Sequence, residues 1–160
     1  MDSLTNAELI KALDDSISII KTSAIQELGK RKAKEALSKI AELLEKDENP
    51  VVRDNAAFAL GEIGDESAIP YLIKALKDKD EWVRKSAVKA LGILKAQEAL
   101  SSLILLINDS SQIVRKALAR TLGQIGDKSI EPYLIKLCND ESIVVKKQAE
   151  EALKKIRGNI

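Results

Sequence analysis

A leucine–glycine pair recurs four times in this chain, at Leu28-Gly29, Leu60-Gly61, Leu91-Gly92 and Leu122-Gly123, with the glycines 32, 31 and 31 residues apart. A fixed period near thirty residues marks stacked units, none of which buries its apolar face alone. Other columns keep the same register. Fourteen residues before each glycine stands Asp15, Asp47, Asp78 or Asp109, and one further interval leads to Asp140, whose glycine position is Lys154. Eight residues before each reference position stands a cation: Lys21, Arg53, Arg84, Arg115 and Lys146. A β-branched residue precedes each of these, as Ile20, Val52, Val83, Val114 and Val145.

Within a unit the apolar spacing predicts two helices. Val52, Ala56, Ala59, Leu60 and Ile63 form one stripe at helical period. Asn49-Pro50 reads as an N-cap followed by proline at the first helical position, a role Asp80 and Ser111 can fill elsewhere. Gly64 to Ser67 and Gly126 to Ser129 read as turns. A second helix then carries Ala68, Leu72 and Leu76, matched by Ala99, Leu103 and Ile107, and by Ile130, Leu134 and Cys138. Pro70 and Pro132 fall in its first turn, where a missing N–H costs little.

The chain opens on a second helix without a first, since Leu9 and Leu13 occupy the columns of Leu72 and Leu76. It closes on a first helix in which Glu150 replaces the apolar Ile25, Ala57, Val88 and Ala119, as suits a terminal unit whose outer side meets water. The expected organisation is one domain over 1–160, with repeats at about 15–46, 47–77, 78–108 and 109–139 and end helices over 4–14 and 141–157.

The segments Asp78–Gly92 (DKDEWVRKSAVKALG) and Val52–Asp65 (VRDNAAFALGEIGD) resemble HEAT-like repeats of the type named after phycobilisome lyases. The resemblance covers nearly the whole chain. It implies an all-α, right-handed α-α superhelix of about ten helices, four full pairs plus a terminal helix at each end. In resembling families the Asp and Arg/Lys columns lock one repeat onto the next. The resemblance also reaches deoxyhypusine hydroxylase, which holds iron with His-Glu motifs. This chain has no His, which excludes that activity.

Composition narrows function further. Lys+Arg 26 against Asp+Glu 25 gives a net charge of +1, which argues against a dedicated nucleic-acid binder. The absence of His and the single Cys138 argue against metal sites and disulfides, so no cofactor is expected. There is no glycine-rich phosphate loop and no Ser-centred elbow, so no catalytic residue is assigned. Met1 to Glu8 has neither a basic start nor an apolar run, and no stretch matches the ~20 apolar residues of a membrane span. A soluble, cytoplasmic, monomeric protein is expected.

Three features could carry binding. Aligned second-helix columns read Glu8, Lys39, Tyr71, Ser102, Tyr133 and Lys11, Glu42, Lys74, Leu105, Lys136. If the second helices line the concave face, a protein partner would be anchored there by Tyr71, Leu105 and Tyr133, with Ser102 alongside, and oriented by Lys74 and Lys136. The run Lys30, Arg31, Lys32 and Lys34 could grip an anion, giving weak nucleic-acid or acidic-partner binding. Trp82 shares a column with Ile19, Val51, Ile113 and Val144 and is expected to pack at the helix start, and Cys138 to be a small buried hydrophobe. The leading reading is therefore a non-catalytic protein-interaction scaffold. The resemblance keeps a second in view, a bilin lyase subunit or accessory factor of phycobiliprotein maturation.

Overall fold

The computed structural model describes residues 1–158, and ten α-helices run through them: α1 Asn6–Ala12, α2 Ser18–Lys30, α3 Leu37–Lys46, α4 Pro50–Ile63, α5 Ile69–Ala75, α6 Glu81–Ile93, α7 Leu100–Ile104, α8 Gln112–Ile125, α9 Glu131–Leu137 and α10 Ile143–Arg157. Even-numbered helices are the first of each unit and odd-numbered ones the second, and both form layers of one all-helical solenoid. The core is a continuous seam of aliphatic side chains between the layers, including Leu28, Leu60, Leu91 and Leu122 from first helices and Leu9, Ile40, Leu72, Leu103 and Leu134 from second. Each such burial removes a side chain worth about 1.5–3 kcal/mol from water, which is why these columns hold their register.

The helix starts follow local chemistry. Thr5 and Glu8 form a reciprocal capping box on α1, Asn49 accepts the Val51 N–H at 2.9 Å, and Asp80 accepts those of Trp82 and Val83. Ser111 departs from expectation. Its hydroxyl makes no capping bond, and its own N–H donates to Asp109 at 2.9 Å. The second helices are entered through short 3-10 turns such as Glu66–Ala68 and Lys128–Ile130.

Two units leave the first helix through a glycine in the left-handed region, Gly64 and Gly126, both at φ 76°. The other two have no glycine there, and Lys32 (φ 52°) and Lys95 (φ 48°) take the left-handed conformation instead. α7 also deviates. It gives way to a 3-10 turn at Leu105–Asn108, so the helical register read through Leu105 stops one residue short of it.

Candidate partner-binding surfaces

The charged columns build an inter-repeat ladder. Arg53 forks onto Asp78 at 2.8 and 3.0 Å, Arg84 onto Asp109 at 2.9 and 3.0 Å, and Arg115 onto Asp140 at 2.8 and 3.1 Å, while Lys21 reaches Asp47. The same guanidinium groups donate to carbonyls of their own loops, at Asp47, Asp78 and Asp109. Each aspartate also accepts the N–H two residues ahead of it. Burial raises the Asp78 carboxyl, but the bonds from Arg53 and the Asp80 N–H outweigh it and hold the group below the usual carboxylate range. Asp140 is held low chiefly by Arg115. These charges join one repeat to the next.

The sidedness of the array follows from how closely each layer packs. Along the first-helix layer, α2, α4, α6, α8 and α10 lie against one another in succession, whereas in the second-helix layer only α3 and α5 make more than marginal contact. The glycines set this spacing. A Cβ placed on Gly61 would stand 2.9 Å from both the Cα and Cβ of Ala90, and one on Gly123 would stand 2.8 Å from the Cβ of Ala152. A two-layer array bends toward the layer whose members are closer together. That closer packing, with the glycine contacts, argues for the first helices as the lining of the inner side in place of the second helices.

The strip built from Tyr71, Lys74, Ser102, Leu105, Tyr133 and Lys136 accordingly lies on the outer layer. Leu105 is 74% exposed and Tyr133 37%, while Tyr71 and Ser102 are half-buried. Tyr71 and Lys74 share a groove of about 320 Å³ with Leu44 and Glu45, where the Lys74 ammonium donates to Glu45 at 2.7 Å. Leu105, Tyr133 and Lys136 do not join that groove.

The basic run does not converge either. The Arg31 guanidinium donates to Glu27 at 2.7 Å, to the carbonyls of Leu4 and Asp2 at 2.7 and 3.0 Å, and to Asn6 at 3.2 Å. It fastens the first residues to α2 and is not free for an anion. Lys34 lies 3.8 Å from Asp65, and Lys30 and Lys32 point to solvent. Cys138 is half-buried rather than fully buried, and burial foremost, with Glu150 adding, pushes its thiol up, the reverse of an activated nucleophile. Among the described residues, no group of three or more His, Cys, Asp or Glu is placed to hold a metal ion, and no helix is long and apolar enough to cross a membrane.

The inner face holds the side chains that sequence reasoning misassigned. The expected packing column is an exposed apolar row, with Ile19 72%, Val51 56% and Trp82 46% accessible. The reason is that these residues sit one position before the column of Val52, Val83, Val114 and Val145, which is buried, and so on the side of the helix turned from the core. Beside this row Phe58 and Ile93 are exposed, and cations gather in the later repeats. The Lys85 ammonium lies 5.0 Å from the Trp82 ring centre and that of Lys89 5.9 Å from Phe58. Between α6 and α8 a shallow cavity of about 210 Å³ is lined by Lys85, Lys89, Ile113, Lys116, Ala117 and Arg120, with Gln148 of α10 at its edge. Among the described residues none of those four cations forms an ion pair. Burial first, then the neighbouring Lys85 and Arg120, lower the Lys89 ammonium, and Asp54 opposes them.

A two-layer solenoid with a charge ladder between repeats and an open inner face defines an α-helical repeat protein of the kind that presents a surface. The sequence profile of HEAT repeats matches residues 37–111 and 101–159, more than half of the chain, and the chain belongs to that family. It is similar to the solved complex of CpcE and CpcF of phycocyanin lyase from Nostoc sp. PCC7120 (TM-score 0.87, 27% identity, covering 98% of this chain and 66% of that one). It is also similar to computationally designed armadillo repeat proteins for modular peptide recognition (TM-score 0.71, 27% identity, 92% and 80% covered). A curated relative, epoxyqueuosine reductase of Bacillus subtilis, is 43% identical over 58 residues, which are 36% of this chain and 15% of that protein. The chain thus spans under two thirds of the phycocyanin lyase chain and a small part of the reductase.

Proposed function

We propose that this chain is a non-catalytic scaffold that holds a protein partner along its inner, first-helix face. One observation carries the reading. While the conspicuous charge pairs are used between repeats, the inner face sets an exposed apolar row beside four converging cations that, among the described residues, form no ion pair. Aromatic anchors beside cations are what interface centres are made of, and a rigid array loses little freedom on binding. The likeness to repeat proteins designed for peptide recognition supports the same use of the fold.

The test compares three immobilised proteins in lysate of the organism of origin: wild type, Trp82→Ala with Phe58→Ala, and Tyr71→Ala with Tyr133→Ala. A protein retained by the wild type and the tyrosine variant but lost from the inner-face variant supports the reading. Loss that follows the tyrosines moves the site to the outer strip, and capture indifferent to both pairs sinks the inner-face assignment.

A second reading, a bilin lyase subunit or accessory factor, is favoured by the likeness to the phycocyanin lyase complex. Bilin absorbance that co-purifies with the chain or shifts on mixing would favour it over a plain scaffold.

A further inference from the structure

Two columns of the first-helix layer turn cationic in the second half of the array. Seven residues before the reference glycine the column reads Thr22, Asp54, Lys85, Lys116 and Lys147, and three before it reads Gln26, Phe58, Lys89, Arg120 and Glu151. The change of sign along one face polarises the surface although the whole chain carries only +1. Four of these cations converge on the cavity between α6 and α8. Gathering like charges costs energy, and the Lys89 ammonium is lowered foremost by burial and then by the neighbouring Lys85 and Arg120. The fold does not neutralise them as it neutralises Arg53, Arg84 and Arg115, each of which has its own aspartate.

The aliphatic walls matter as much as the charge. Ile113 and Ala117 floor the cavity, and Trp82 and Phe58 stand beside Lys85 and Lys89. A polypeptide alternating carboxylates and apolar side chains fits both the cations and the aliphatic walls. Neighbouring helix axes stand about 8–10 Å apart, and an extended chain advances about 3.1–3.4 Å per residue, so two to three residues cross each helix. About ten residues would cross α4 to α10.

We propose that the inner face at α6 and α8 binds an acidic, extended segment of a partner protein, its carboxylates on Lys85, Lys89, Lys116 and Arg120 and its apolar side chains against Trp82 and Ile113. The inference rests on the inner-face reading above and adds the chemistry of the partner.

The test uses a fluorescein-labelled peptide of three Glu-Glu-Leu units, its Gln-Gln-Leu counterpart, and a ten-nucleotide oligo(dT), titrated with the full chain and followed by anisotropy. The Glu peptide should bind at low salt and weaken at 0.5 M NaCl, where screening shortens to a few ångströms. The Gln counterpart should bind at least about tenfold more weakly, and so should the Glu peptide on Lys89→Glu with Arg120→Glu. The milder Lys89→Gln with Arg120→Gln, with helical content checked by circular dichroism, should fall between. Equal binding of the two peptides, charge-reversed protein that binds normally, or oligo(dT) binding more tightly than the Glu peptide would each overturn the proposal. If no peptide binds while Trp82→Ala with Phe58→Ala still abolishes partner capture, the acidic-segment inference falls and the inner-face reading stands.

Discussion

Gly61→Ala isolates the close approach that makes the first-helix layer the inner one. In an exposed helix interior this change is stabilising by about 1 kcal/mol, because alanine loses less backbone freedom than glycine. Here the new methyl would lie 2.9 Å from the Cα and Cβ of Ala90, and a Cα cannot swing aside as the end of a long side chain can. Overpacking of this kind costs about 1–3 kcal/mol, so against that gain the net effect should be a loss of about 1 kcal/mol at the middle of the range. In urea denaturation followed at 222 nm, the midpoint should fall without a change in slope. Adding Ala90→Gly removes one of the two clashing atoms and should recover part of the loss, giving a coupling of about 1 kcal/mol in a double-mutant cycle. Gly92 is the internal comparison, because the atoms nearest a Cβ there all belong to the side chains of Gln124 and Thr121. A Gly61→Ala chain as stable as the wild type, or more so, would refute the close approach and with it the sidedness.

Arg115→Ala strands Asp140 in a mostly buried pair and should cost about 3 kcal/mol by thermal or urea unfolding, far more than removing the exposed Lys46, whose partner is Glu42. The depressed carboxyls of Asp78 and Asp140 stabilise the fold at pH values above the unfolded aspartate value near ~3.9. That contribution should drain away as acid carries the pH below about 5 and through the lower folded-state values, and Asp140→Asn should flatten this acid limb of a stability-against-pH curve. Lys95→Gly relieves a left-handed non-glycine residue and should raise the unfolding midpoint by an amount worth about 0.5–1 kcal/mol, the strain removed slightly exceeding the chain entropy added.

The repeat register was fully legible, because every column answers a need that recurs in each unit: Leu60 and Leu91 fill the seam, Asp78 meets Arg53, and Asn49 caps α4. Sidedness was harder to read. It depends on which layer packs more tightly, and the signal was present in two small-residue columns: the glycines themselves, and Ala59, Ala90, Thr121 and Ala152 two positions before each reference position. Small residues in both columns place neighbouring first helices in backbone contact. Assigning the second helices to the inner side instead drew attention to Tyr71 and Tyr133 and left Lys89 and Arg120 unremarked. Trp82 misled for a related reason, since apolar character repeated in one column looks the same whether it faces the core or an open surface. The role of Arg31 was not legible at all, because its partners Asp2, Leu4 and Asn6 belong to no repeat.

Trp82 is the chain's single tryptophan, and it stands exposed on the inner face against Lys85. Its emission therefore reports from the proposed site alone. Titration with the unlabelled Glu-Glu-Leu peptide should change that emission saturably, with the midpoint found by anisotropy, and iodide should quench the bound form less than the free one. Binding seen by anisotropy with Trp82 emission and quenching unchanged would put the ligand on another surface and contradict the inner-face account.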